Sequence, residues 1–243
     1  MPSTTDLKQD LRLAAHVRAC AHDGQVVLLD LQRSRYLGVG GPLAASHAPV
    51  VSGWPGHDHR LHAENSSQAD TQALAAPLMR QGLITRDAAP PSARPALPEA
   101  TQTLNVEPLI GTAPVGAGRV FRFLRSYASA TVSLRLCSLL SIANRVAARR
   151  VRGVTTGRVN HLPLGSAVAA YLRLRPLMFT AHDRCLQDSL TLLHFLAAEG
   201  WYPNWVIGVA TQPFRAHAWV QTGDLVLSDL HENVRRYTPI LVA

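Results

Sequence analysis

The chain has 243 residues, 47% hydrophobic, 16% charged and 6% aromatic, with a formal net charge of +8. That length can bury one large core or two small ones, and the composition is that of a soluble globular protein. The charge is uneven: residues 1–88 hold eight basic and eight acidic side chains, whereas residues 119–243 hold fifteen arginines against six acids. An arginine-rich half attracts an acidic peptide, a partner protein or nucleic acid, or forms a solvated face.

The stretch Met1–Cys20 carries Asp6, Lys8, Asp10 and Arg12 and no apolar h-region, so it does not read as a secretory signal, and a cytoplasmic location is expected. Three widely spaced cysteines, Cys20, Cys137 and Cys185, give neither a disulfide framework nor a C-x-x-C metal motif. No metal and no cofactor are expected. From His16 onward the pattern predicts a three-stranded meander: His16–Ala21, Gln25–Leu31 and Arg35–Val39, with turns at His22-Asp23-Gly24 and Gln32-Arg33-Ser34. Two helices should follow, near Pro42–Val51 and Ser67–Leu83, the second capped by Ser66 or Ser67, with Leu74, Leu78 and Met79 on one face and Gly82 near its end. A small meander followed by helices has the shape of a winged-helix-like module, occupying residues 1–86.

Residues 87–118 hold six prolines among Ala, Ser, Thr and Gly and read as an extended linker. Residues 119–243 form the second domain. Helices are expected over Arg119–Tyr127, Ser129–Arg152, Gly165–Leu174 and Cys185–Glu199, the last with Leu186, Leu190, Leu193 and Leu196 on one face and Gly200 as its stop. The apolar stretch Phe121–Val151 is cut by Arg125, Arg135 and Arg145 into uncharged runs of nine residues, too short to span a bilayer. Three strands follow, Trp205–Ala210, Ala216–Gln221 and Leu225–Asp229, the last two joined at Thr222-Gly223-Asp224. The fold class is α+β.

Cys185 opens a helix, where unpaired N–H groups and the positive dipole end favour thiolate and can bind an oxyanion. His217 lies on a strand whose other face carries Ala216, Ala218 and Val220. Asp229 ends the next strand. If the hairpin centres on Thr222–Gly223, His217 pairs near residue 228, and one residue of slack brings Asp229 beside the imidazole. Sulfur, base and orienting carboxylate in that order are what nucleophilic catalysis requires. Taken singly, the three read as a small buried hydrophobe, an edge residue and turn chemistry. Trp219 either walls a substrate site or fills the core, Asp183 caps the helix, His182 can line the site, His231 is a loop residue, and Cys137 is structural.

The runs Arg184-Cys185-Leu186-Gln187-Asp188-Ser189-Leu190, Phe214-Arg215-Ala216-His217-Ala218-Trp219-Val220 and Val226-Leu227-Ser228-Asp229 resemble the transglutaminase-like peptidases of lasso peptide biosynthesis, the B proteins. Val26–Leu31 and Arg35–Val39 resemble that family's leader-recognition module, which is similar to PqqD-type peptide chaperones. The resemblance implies a papain-like second domain with helices packed on an antiparallel sheet and a Cys185–His217–Asp229 triad. It further implies that a precursor's leader adds as a strand along Arg35, Tyr36, Leu37 and Val39, with Trp219 contacting substrate at the cut site. The implied partners are a lasso precursor peptide and a macrolactam synthetase, with neither nucleic acid nor a membrane span. Two alternatives stay open from the residues: acyl transfer to an amine, as in transglutaminases or arylamine acetyltransferases, and a non-enzymatic winged-helix binder of nucleic acid.

Overall fold

The structure, a computed structural model, describes residues 11–40, 44, 46–47, 51–55, 75–87, 97–153, 161–179 and 184–243. They fall into two compact units, Met1–Ala93 and Arg94–Ala243.

In the first unit, β1 (Leu11–Leu13), β2 (Val17–His22), β3 (Gln25–Asp30), β4 (Arg35–Val39), β5 (Val51–Ser52) and β6 (Ile84–Thr85) make two three-stranded sheets. The meander β2-β3-β4 is antiparallel, with His22 opposite Gln25 and Asp30 opposite Arg35. Its first turn places Asp23 at φ 46° and Gly24 at φ 71°, the two positive values that a two-residue hairpin needs to match strand twist. At the second turn, Asp30 accepts the amides of Gln32 and Arg33 and pairs with the Arg33 guanidinium at 3.0 Å. The other sheet, β5-β1-β6, was not expected: its strands are two or three residues long and pair across the unit, with β1 parallel to β5 and antiparallel to β6. Val26, Leu28, Val39, Leu78 and Leu83 share the core. Residues 75–80 are helical, and Gly82 follows at φ 73°. The remainder of that expected helix, with Leu74 and the Ser66/Ser67 cap, lies outside the described residues. Of the helix expected near Pro42–Val51, Ala44, Ser46 and His47 are helical, while Val51 begins β5.

The second unit starts inside the stretch expected to be an extended linker. β7 (Gln102–Thr103) and α1 (Glu107–Ile110) lie there, and Ala100 and Ala113 are buried. The Gln221 side-chain amide donates to the Pro98 carbonyl at 2.8 Å. Prolines are compatible with this packing because carbonyls, which proline keeps, make the contacts. Helices α2 (Ala117–Leu136), α3 (Leu139–Gly153), α4 (His161–Leu174) and α5 (Cys185–Ala198) follow. The break between the first two falls at 137–138 rather than near 128. Cys137 is extended, and Ser138 Oγ accepts the Ser141 amide, an N-cap that starts a new helix.

The sheet of this unit runs β11-β8-β9-β10-β7, with β8 (Asn204–Thr211), β9 (Phe214–Thr222), β10 (Leu225–Val226) and β11 (Thr238–Val242). Its pairs are antiparallel except β10 with β7. Helix α5 is buried nearly all round, Leu190, Leu192, Leu193, Phe195 and Leu196 included, because it packs against helices α2 and α4 and against strands β8 and β9. It is a central helix rather than an amphipathic surface helix. Its start is tied to the sheet by the Trp205 indole N–H, which donates to Ser189 Oγ at 2.9 Å. Its end closes on Gly200 (φ 87°), with the Trp201 amide bonded to the Leu196 carbonyl. Among the described residues no helix is long and apolar enough to cross a membrane.

Candidate active site

Cys185 is the first residue of α5, preceded by Arg184 as N-cap residue with no side-chain cap; His182 and Asp183 lie outside the described residues. The amides of a first helical turn have no intrahelical acceptors, and here the Leu186 amide donates to the Cys185 sulfur. A second amide comes from β9. Strand β10 ends at Val226, and beyond it the pairing is incomplete: the Val220 carbonyl still accepts the Leu227 amide at 2.9 Å, but the Val220 N–H turns to Ser228 Oγ at 3.2 Å. Two residues back along the strand, the Ala218 N–H points the same way and reaches the sulfur.

The side chains of His217, Trp219 and Gln221 alternate onto one face of β9. The His217 ring lies against Trp219 (centroids 6.1 Å, 17° apart in plane) and Tyr237 (5.2 Å), and the Trp219 indole donates to Gln221 Oε1 at 2.9 Å. Opposite His217 in the register stands Gly208; a Cβ there would meet the Trp219 ring at 2.8 Å and Tyr237 at 2.9 Å. The glycine is thus the space into which the indole fits. His217 Nε2 lies 2.6 Å from Asp229 Oδ2, leaving Nδ1 for the Cys185 thiol, with which the ring is also hydrogen-bonded. Asp229 is held in turn: Oδ1 accepts the Leu230 amide at 2.7 Å and Oδ2 accepts the Asn233 side-chain amide at 3.0 Å.

These contacts set the protonation states. Burial pushes the Cys185 thiol up, but hydrogen bonds from His217 and the Ala218 amide, with the imidazolium charge, carry it below its ordinary value. Burial pushes the His217 ring down, yet its bonds to Asp229 and Cys185 outweigh that and raise it to about 9. Burial raises Asp229 as well, and the bonds from His217, Leu230 and Asn233 bring it below the usual carboxylate range. The sulfur and ring are therefore poised as a thiolate–imidazolium pair, an arrangement able to attack a carbonyl and pass a proton to the group it expels.

The structure brings Cys185, His217 and Asp229 together. Trp219 departs from the expected substrate contact: it is 2% exposed and packs with Ala100, Val206, Val226 and Val234, so it backs the His217 ring instead of walling a cleft. The four remaining candidates sit on β4 of the other unit. Arg35 is exposed and Tyr36 and Leu37 are half-buried, while Val39, at 4% exposure, turns its side chain into the core, against the expectation that it meets a ligand. His231 is not a loop residue: it opens α6 (His231–Val234), and its Nδ1 lies 2.9 Å from Thr103 Oγ1. Sequence reasoning missed the Ala218 amide, Ser228, Asn233 and Tyr237. Asn233 stands four residues after Asp229, a spacing that could have been weighed; Tyr237 gives no local signal. Among the described residues no group of three or more His, Cys, Asp or Glu is placed to hold a metal ion.

A helix-borne thiol, a strand-borne imidazole and a carboxylate beyond it make an arrangement with the chemistry for thiol-dependent acyl transfer. Residues 122–242 match the family model described as transglutaminase-like superfamily, and this stretch is a transglutaminase-like domain. That superfamily includes cysteine peptidases and acyltransferases. Neither a curated protein nor a solved structure matches the chain.

Proposed function

We propose that this protein is a cysteine peptidase that binds the leader of a ribosomally made lasso precursor peptide and cleaves it off, freeing the core's amino group for a partner macrolactam synthetase. The reading rests on one observation: Cys185, His217 and Asp229 share hydrogen bonds at a helix start. In the reaction the thiolate sulfur adds to the carbonyl carbon at the end of the leader, and the negative charge moves to the oxygen, against the unpaired amides of the first turn of α5. As the tetrahedral species collapses, the C–N bond breaks and His217 gives its proton to the departing core amine. His217 then takes a proton from water, whose oxygen attacks the thioester. The leader leaves with a free carboxylate and the thiolate returns. Asp229 keeps Nε2–H in place throughout, so Nδ1 always faces the sulfur. No cofactor enters any step.

Leader binding is assigned to β4. Among the described residues β4 pairs only with β3, so its other edge can take a peptide as an added strand. A cavity of about 260 Å³ spanning β3 and β4, with Leu28, Asp30, Arg35, Tyr36, Gln81 and Leu83 in its lining, gives side chains of the leader a place to sit. Covalent connection of the two units raises the local concentration of the bound leader's cleavage junction.

The test is mass spectrometry of a candidate precursor incubated with the protein and with Cys185→Ala, with and without the synthetase. Leader and core masses that need the thiol are expected. An intact precursor, or a product joined to an added amine in place of free leader, overturns the peptidase reading; the second outcome identifies an acyltransferase.

A further inference from the structure

Helix α5 carries a second polar side chain that the thiol does not use. His194 lies nine residues beyond Cys185, two and a half turns and about 13 Å along the axis. It borders a cavity of about 520 Å³ lined also by Arg125 and Ser129 of α2, Arg149 of α3, Ala197 of α5 and Tyr202 beyond that helix's end.

The charges around this cavity are unbalanced. Four acids of the unit pair elsewhere: Glu199 with Arg119 and Arg122, Asp188 with Arg175, Glu99 with Arg235, and Asp229 with His217. Arg125 and Arg149 have no acidic partner among the described residues, and neither does Arg145, which also acts on His194. No acid faces the ring from α2 or α3 to offset them. Burial, with Arg149, Arg145 and Arg125, holds His194 down to about 4, although the Ser126 carbonyl accepts from it. Its buried Nδ1 has no hydrogen-bond partner. The cavity thus collects cationic forks and hydroxyls and keeps its one titratable base neutral.

We propose that this cavity binds a phosphate-bearing small molecule, its phosphate held between the Arg125 and Arg149 guanidinia and its organic part lying against Ala197 and Tyr202. Guanidinium forks match phosphate oxygens two at a time. A ligand of charge near −2 balances two guanidinia, whereas a carboxylate leaves one uncompensated. The volume exceeds that of inorganic phosphate alone and leaves room for the alcohol of a phosphomonoester. Binding also has a built-in reporter. Burial is the larger cause of the low His194 value and stays in place, so an anion between the arginines removes only their share, and the ring's midpoint should rise from about 4 while stopping short of its ordinary value.

The experiment is titration calorimetry on the full chain at low ionic strength, with inorganic phosphate, glycerol 3-phosphate and acetate as probes. Saturable binding of both phosphates is expected, with acetate at least tenfold weaker. The Arg125→Ala/Arg149→Ala double variant should lose at least tenfold in affinity. Arg135→Ala, an exposed arginine at the end of α2, should lose nothing. Tighter glycerol 3-phosphate supports the proposal, and equal or tighter inorganic phosphate overturns an organic part lying against Ala197 and Tyr202. Absence of saturable binding, or equal weakening by Arg135→Ala, overturns it. The wild-type protein gives a second readout that needs no variant to fold. In NMR titrations the His194 midpoint should move upward with phosphate present, and a stationary midpoint also overturns the proposal.

Discussion

His217 Nε2 and Asp229 Oδ2 meet at 2.6 Å although the hairpin between their strands does not pair them. Thr222 stands opposite Leu225 and Gln221 opposite Val226, a register that carried onward puts residue 230 across from His217. The last ladder bond runs from the Leu227 amide to the Val220 carbonyl at 2.9 Å, Ser228 then takes the Val220 amide through its side chain, and Asp229 arrives one position early. The carboxylate is then fixed from behind by the Leu230 amide and Asn233. The site depends on where β10 ends as much as on the three residues.

Replacing Asp229 by Asn keeps the shape of this corner and removes its charge. The Asn side chain can offer Nε2 a donor where a carboxylate offered an acceptor, so the imidazole loses its orienting partner and the support that raises it to about 9. Peptide cleavage should fall roughly 10²–10⁴-fold in kcat/KM with little change in KM, the range for a general acid–base group. Asn233→Ala, which removes one of the carboxylate's donors, should cost about tenfold, the equivalent of about 1.4 kcal/mol. Steady-state kinetics on the two variants checks the ordering, and an Asn233→Ala loss larger than that of Asp229→Asn contradicts it.

The order of deprotonation supplies a pH signature. With ordinary values, 6.5 for the ring and 9.0 for the thiol, the imidazole would lose its proton before the thiol, and the ion pair would never dominate. Here the thiol is lowered and the ring raised to about 9, so the sulfur ionises first. Cleavage should rise as the thiol deprotonates, hold while the pair persists, and fall as pH passes about 9 and the imidazolium disappears; both limbs belong to the coupled pair. Alkylation of Cys185 by iodoacetamide should show its thiolate limb below the ordinary thiol value. A limb at or above 9.0 shows that the pair does not form.

Much of this architecture was legible because local chemistry decides it. Asp23-Gly24 fixes the meander's first turn through two positive φ values, and the long apolar run after Cys185 could only be a helix with the thiol at its start. Other parts depend on distant partners. Strands β1, β5, β6 and β7 are two or three residues long and exist because another segment's edge accepts them. Pro98 belongs to a stretch that reads as linker from its six prolines, yet its carbonyl takes the Gln221 amide. Trp219 was the ambiguous case. Its burial follows from Gly208 on the neighbouring strand, and a pairing between residues 208 and 217 is invisible in either segment alone.

Gly208→Ala tests that packing. The added methyl would stand 2.8 Å from the Trp219 ring and 2.9 Å from Tyr237 Cβ. Both neighbours also touch the His217 ring, and the indole is fully enclosed. The ring must shift, at a cost of about 1–3 kcal/mol for overpacking a closed core. Chemical denaturation should show a lower midpoint, and cleavage by the still-folded fraction should fall because the wall behind His217 has moved. An unchanged midpoint with full activity shows that the indole can move aside without cost.

Tyr171→Phe examines the support beneath the helix that carries the thiol. The Tyr171 hydroxyl is buried and donates to Asp188 Oδ1 at 2.6 Å, also lying 3.0 Å from that residue's carbonyl. Arg175 holds the other carboxylate oxygen at 2.8 Å. Burial raises Asp188 above the usual carboxylate range, with the bonds from Tyr171 and Arg175 working against it, so the phenol is one of two groups that offset the cost of enclosing this carboxyl. Phenylalanine fills nearly the same volume and leaves the ring contacts with Phe123 and Phe195 in place, so the loss isolates the hydrogen bond. A bond to a charged acceptor contributes about 1.5–3 kcal/mol, and the denaturation midpoint should fall accordingly. Asp188 lies one turn after Cys185 on the same helix, yet its carboxylate bonds neither the sulfur nor His217. The alkylation rate of Cys185 at neutral pH should therefore stay within about twofold of wild type while stability drops, and a large fall in that rate with an unchanged midpoint contradicts a purely supporting role for Tyr171.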